Sequence, residues 1–212
     1  MSKTYVGLLL SVVFLFTGCA SFQASQNFNS GRQAFITGKY DTAQSYFRNA
    51  AQLDPGYISY NGVPQNIWSY VGRADYATGR LTDARQALER ALSIYSDDTT
   101  ARLYLGLTLA REGERQRSLK EIGLGMKGIY DWLEATGQSQ RFSFGQFWDP
   151  QRKIRSEIQV TLAMLSGPEI DWPKLLESGE WIGNSMEEEI DRAQRDEYLD
   201  HSRQSEGGGD EP

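Results

Sequence analysis

Apolar residues recur through most of the chain at the three- and four-residue spacing that marks one face of a helix. Ala43, Phe47 and Ala50 fall on one such face, and Ala84, Leu88 and Ala91 repeat the small-large-small order further on. The pattern predicts six helices in three pairs: Phe28–Thr37 with Thr42–Leu53, Gln65–Thr78 with Asp83–Tyr95, and Thr99–Arg111 with Arg115–Lys127. Gly38, Gly79 and Gly113 fall at the turn inside each pair, where a left-handed backbone costs glycine least. Thr82 and Asp98 are expected as N-caps. Pro64 is placed just inside a helix start. Pro55 stops the helix before it, which puts Gly56–Val63 in a loop between pairs. Tyr57–Val63 also reads as half of a β-hairpin, since Asn61-Gly62 is a strong turn signal, although the sequence offers no evident second strand.

Beyond Lys127 the pattern changes. Ile129–Ala135 reads as a short helix or as an extension of the one before it, closed by Gly137, with a loop over Gln138–Phe142. Phe142, Phe144, Phe147 and Trp148 cluster ahead of Asp149-Pro150, which reads as an N-cap and first helical residue. Ile154, Ile158, Leu162 and Leu165 share one face of the helix that follows, and Gly167-Pro168 ends it. Asp171-Trp172-Pro173 opens another helix through Trp181. Ser185-Met186-Glu187-Glu188 has the form of a capping box and predicts a further helix start. Residues 203–212 are Gly-rich and acidic, and are expected to be disordered.

The paired helices carry small residues where two helices must approach. In the middle pair, Trp68, Val71, Gly72 and Gly79 are followed by Ala84, Leu88 and Ala91. The earlier pair has Gly31, Gly38, Tyr40, Ala43, Phe47, Ala50 and Pro55, and the later one Leu105, Gly106, Leu109, Gly113, Ser118, Ile122 and Gly125. This pattern resembles the tetratricopeptide repeat, and Gly72 and Gly106 stand one 34-residue period apart. The step from Gly31 to Gly72 is about seven residues longer, which the loop after Pro55 absorbs. The likeness covers 29–127. It implies an all-α fold of about three stacked helical hairpins, followed by a C-terminal helical extension over 128–202.

Residues 1–18 read as an export signal rather than as part of the fold. Lys3 precedes the apolar and small run Val6–Phe16, which has the length of a signal-peptide core. The run ends in Leu15-Phe16-Thr17-Gly18-Cys19, which resembles the bacterial lipobox. In that family the signal peptidase cuts before the cysteine and the new terminus is lipidated, so Cys19 is the expected lipid attachment site. Each acyl methylene buried in a bilayer adds about 0.8 kcal/mol, and several chains anchor firmly. Ala20-Ser21 follow Cys19 without an aspartate. By analogy with enteric lipoproteins this implies the outer membrane, facing the periplasm. Residues 19–28 are expected to form a polar tether.

The chain of 212 residues has a net charge of −6, one His and one Cys. That balance argues against nucleic acid, and the lone Cys and His argue against a soft-metal site. Gly123-Leu124-Gly125-Met126-Lys127-Gly128 spells a dinucleotide fingerprint, but outside a βαβ unit it reads as close helix approach. The acidic run Glu187, Glu188, Glu189 and Asp191 spreads around a helix and cannot converge on one metal ion. No catalytic constellation is evident, and no cofactor is expected apart from the lipid.

The resemblance implies a non-catalytic module that binds a protein or peptide in a concave groove. The groove residues would be Arg32, Phe35, Asn66, Ser69, Arg73, Tyr76, Leu107 and Arg111. Its three arginines would suit an acidic partner. The alternative is a structural subunit of an envelope assembly or secretion complex, docking through the aromatic extension. A remote alternative is an enzyme with an unrecognised site.

Overall fold

The computed structural model describes residues 3–138 and 145–207, with side chains over 20–138 and 146–203. The fold is all-α. The helices are α1 (Lys3–Ile36), α2 (Tyr40–Leu53), α3 (Ile67–Ala77), α4 (Leu81–Ile94), α5 (Thr99–Glu112), α6 (Arg115–Gln138), α7 (Lys153–Leu165) and α8 (Trp172–Gly207). A short antiparallel pair, β1 (Ile58–Ser59) and β2 (Gln65–Asn66), precedes α3, and a 3-10 turn spans Gly145–Phe147. Among the described residues no helix is long and apolar enough to cross a membrane.

Successive helices pack as hairpins: α1 with α2, α3 with α4, and α5 with α6. One contact recurs in all three. A Cβ on Gly31 would lie 2.6 Å from the Phe47 ring, one on Gly72 2.5 Å from Leu88 Cγ, and one on Gly106 2.6 Å from Ile122 Cγ1. Each glycine stands sixteen residues before the large side chain it admits. The hairpin turns are made as expected, with Gly38, Gly79 and Gly113 at φ of +73°, +78° and +88°.

The chain divides into two compact units. The first holds α1 to α4 with the two strands. Its core stacks aromatic rings from three helices: Phe28 meets Tyr70 edge-on at 4.9 Å, and Phe47 lies 5.2 Å from Tyr70. The second holds α5 to α8 together with the β1–β2 connection, Tyr60–Pro64. Its buried residues include Leu103, Leu107, Ile122, Met126, Leu133, Ile158 and Ile182.

Several boundaries differ from the sequence expectation, each for a local reason. The tether over 19–28 is helical, because Ala24 and Phe28 are spaced to join the first unit's core and are fully buried there. Gln65–Asn66 is the second strand that the Tyr57–Val63 hairpin lacked. Pro64 therefore precedes α3, whose N-cap is Asn66, accepting from the Trp68 amide at 3.0 Å. Asp98 caps α5 as expected, whereas Thr82 lies inside α4. Helix α6 runs on through Gly123, Gly125 and Gly128. Gly125 faces the Leu103 backbone and Gly128 faces Thr99, so these glycines admit α5 instead of breaking the helix.

Pro150 is not the first residue of α7, which begins at Lys153. Asp149 still caps it from a distance, at φ +45°, accepting from the amides of Ile154 (3.1 Å) and Arg155 (3.0 Å). No break occurs at Ser185, and α8 continues through the capping-box sequence to Gly207. Packing outweighs the local signal there: a Cβ on Gly179 would lie 2.6 Å from Leu107 and one on Gly183 2.5 Å from Tyr104. The disorder expected over 203–212 does not extend to 203–207, which are helical, and 208–212 lie outside the described residues.

Candidate binding site

Of the eight residues expected to line an open groove, only Arg111 is exposed. Six belong to the first unit. Arg32, Phe35 and Tyr76 are buried, and Ser69 and Asn66 are fully buried. Asn66 is occupied structurally, as the α3 cap and as donor to the Tyr57 carbonyl at 3.1 Å. Arg73 is 1 % exposed. Its guanidinium lies 4.9 Å from the Phe35 ring centre and 5.1 Å from that of Tyr70, and donates to Gln65 Oε1 at 3.0 Å. A long side chain with a planar, weakly hydrated cation can be accommodated this way between rings.

Leu107 and Arg111 belong to the second unit, where the reason for burial is explicit. Helix α8 lies on α5, with Gly179 against Leu107 and Gly183 against Tyr104. Four-residue spacing puts both glycines on one face, so the α8 backbone can come close. The chain's own C-terminal helix thus occupies the α5 face expected to receive a partner. The positive track expected of Arg32, Arg73 and Arg111 is not an open surface, and the preference for an acidic partner loses its basis.

Asp75 is a buried carboxylate of the first unit. Its carboxylate, fully buried, accepts from Gln44 Nε2 (3.0 Å), Arg48 (3.0 Å) and Arg80 Nε (2.9 Å). Arg80 also reaches Asp41 at 2.8 Å, and these two carboxylates hold its pKa above the ordinary value, Asp41 foremost. In the second unit Arg155 has the same kind of role. It donates to the Leu133 carbonyl (2.8 Å) and the Asp149 carbonyl (3.1 Å) and pairs with Glu134 (3.0 Å), joining α6 to the start of α7. Both clusters join helices within their own unit, although among the described residues Arg48 Nε, Arg80 Nη2 and Arg155 Nε are buried without a hydrogen-bond partner.

The second unit also contains an open cavity of about 340 Å³. Trp132 of α6 and Trp148 form its aromatic wall, meeting edge-on with ring centres 4.8 Å apart. Tyr60, Asn61 and Pro64 come from the connection between the strands, and Gln194 from α8. Tyr60 is 71 % exposed at the rim, while Trp148 is buried. Gly62 helps this geometry: a Cβ there would lie 3.0 Å from both Trp148 and Ile190, so glycine lets the connection sit close to the tryptophan without pressing on either side chain.

Of the aromatic cluster expected as a docking surface, Trp148 lines the cavity and Phe147 sits beside it in the 3-10 turn, while Phe142 and Phe144 lie outside the described residues. Tyr60, Trp132 and Gln194 were not foreseen together. The Asn61-Gly62 turn was the available signal, but nothing local connects it to Trp132 some seventy residues away. Cys19 is within α1, and its side chain lies outside the described residues. Among the described residues no group of His, Cys, Asp or Glu is placed to hold a metal ion. Glu187 of the acidic run is buried in mid-α8. The sequence matches no protein-family model and no curated protein.

Proposed function

We propose that this chain is a non-catalytic adaptor of the tetratricopeptide type, held by a lipid on Cys19 at the bacterial outer membrane and facing the periplasm. It binds a protein partner through the aromatic cavity of its second unit, with no nucleic acid and no small-molecule cofactor. The repeated glycine contact across three hairpins supports the repeat reading. The apolar run ending in Cys19 supports export and lipidation.

One observation carries the choice of surface: α8 covers α5, whereas the cavity beside Trp132 and Trp148 is open. Cavities with aromatic walls and a few polar groups at the rim are the usual form of a binding site. A structural subunit of an envelope assembly would use the same surface, because the C-terminal extension supplies Trp148 and Gln194.

Photo-crosslinking in intact cells tests this reading. A photoreactive residue in place of Tyr60 should trap the same protein reproducibly. One in place of Leu124, exposed elsewhere on the second unit, should not. Equal background from both positions would refute the proposed surface.

A further inference from the structure

The chemistry of the cavity narrows the partner, on the reading that the chain is a protein-binding adaptor. We infer that the cavity takes a proline-rich segment in the polyproline II conformation.

The lining has two parts. Trp132, Trp148 and Pro64 give an apolar interior, and Tyr60, Asn61 and Gln194 stand at the more accessible edge. Among the described residues, none of those lining the cavity carries a carboxylate, ammonium or guanidinium, although 24 % of the chain is charged. An occupant bearing charge would find no counter-ion there, and burying an unpaired charge is costly.

Neutral occupants differ in how many polar groups they bring. A sugar ring carries several hydroxyls, each needing a partner once desolvated, and the lining side chains offer two amides and the hydroxyls of Tyr60 and Thr136, set against two tryptophans. A lipid chain carries none, and would cover Asn61 and Gln194 without giving them partners. A proline-rich segment falls between. Its rings supply apolar faces for the tryptophans, each proline lacks an N–H, and its backbone carbonyls remain free to accept from Asn61 and Gln194. The polyproline II helix is also ordered before binding, so little conformational entropy is lost on an aromatic surface.

The test uses the full chain purified in detergent and fluorescence anisotropy of a labelled decaproline peptide. Saturable binding is expected, with none for a glycine-serine peptide of equal length. Tyr60→Ala and Gln194→Ala should each weaken it about thirty-fold or more, the range of hot-spot responses. Both residues are exposed, so the variants should melt as wild type does. Trp132→Ala should abolish binding, and the two rim variants keep the test valid if it misfolds. Absence of saturable binding, or full affinity in Tyr60→Ala, would overturn the inference. So would displacement of decaproline by a neutral oligosaccharide such as chitotetraose, which would assign the cavity to a sugar. Any of these three failures, with a reproducible crosslink from position 60 still recovered in cells, would reject the proline-rich ligand and leave the adaptor reading standing.

Discussion

Leu88 occupies the space that a side chain on Gly72 would need, with its Cγ 2.5 Å from where a Cβ would stand. The Ala84 carbonyl lies 3.1 Å from the same point, so the backbones of α3 and α4 are close as well. Gly72→Ala sets two effects against each other. Replacing glycine inside a helix gains up to about 1 kcal/mol. Overpacking a tight core costs roughly 1–3 kcal/mol. The second should prevail, and thermal melts should show a lower midpoint. An unchanged or raised midpoint would mean that the hairpins are not packed through these glycines.

The glycines of α6 make a sharper internal comparison. A Cβ on Gly125 would lie 2.5 Å from the Leu103 amide nitrogen, whereas one on Gly123 would lie an ordinary 3.6 Å from Leu165. Backbone cannot yield as a side chain can. Gly125→Ala should therefore destabilise by at least about 2 kcal/mol, and Gly123→Ala should stabilise by up to about 1 kcal/mol. Chemical denaturation of the two variants tests the pair, and equal midpoints would contradict this packing.

These positions show what the sequence made legible. The spacing of Gly72, Ala84 and Leu88 is local and periodic, and it located the hairpins and their turns to within a few residues. The polar composition around Ala24 and Phe28 concealed a helix whose buried face is narrow. Ser185-Met186-Glu187-Glu188 signalled a helix start, but Gly179 and Gly183 pack on α5 and carry the helix through it. The groove was expected from the first helix of each hairpin, and no local pattern signals that α8 covers Leu107. The cavity joins Tyr60, Trp132, Trp148 and Gln194 from distant parts of the chain, a meeting no local pattern encodes.

Lipidation is tested at Cys19, the only thiol in the chain. With Cys19→Ser the acceptor for the acyl chains is gone. The protein should either leave the membrane fraction or persist as an uncleaved precursor. A variant that stays in the membrane at mature length would show that the anchor lies elsewhere.

Asp75 tests how the first unit holds together. Asp75→Asn keeps the shape of the side chain and removes the charge that Arg48 and Arg80 share. Both arginines are more than a third exposed at the side chain, so water can compensate in part. The loss should be about 1.5–3 kcal/mol, the range for hydrogen bonds to a charged group. Asp75→Ala should cost more, because Gln44 then also loses its acceptor. Urea unfolding of both variants gives the comparison. Wild-type stability in Asp75→Asn would mean that the carboxylate is not the shared acceptor.

Arg73 separates a groove from a core most directly. If it lined an exposed groove, Arg73→Glu would leave stability almost unchanged and alter only partner affinity. The side chain is instead 1 % exposed, beside the rings of Phe35 and Tyr70 and bonded to Gln65. A carboxylate placed there would face the negative faces of two rings and an acceptor oxygen. Leaving a buried charge uncompensated costs about 3–5 kcal/mol, a large share of a typical domain's stability. Arg73→Glu should therefore unfold the first unit or lower its melting temperature sharply. Arg73→Met keeps the length and apolar stem, forgoes the hydrogen bond to Gln65 and the cation's contacts with the rings, and introduces no buried charge, so its loss should be smaller, about 1–3 kcal/mol. Circular dichroism melts of both variants would measure the difference. A well-folded Arg73→Glu with an unchanged midpoint would show that Arg73 reaches solvent, and would return the groove to consideration as the binding surface.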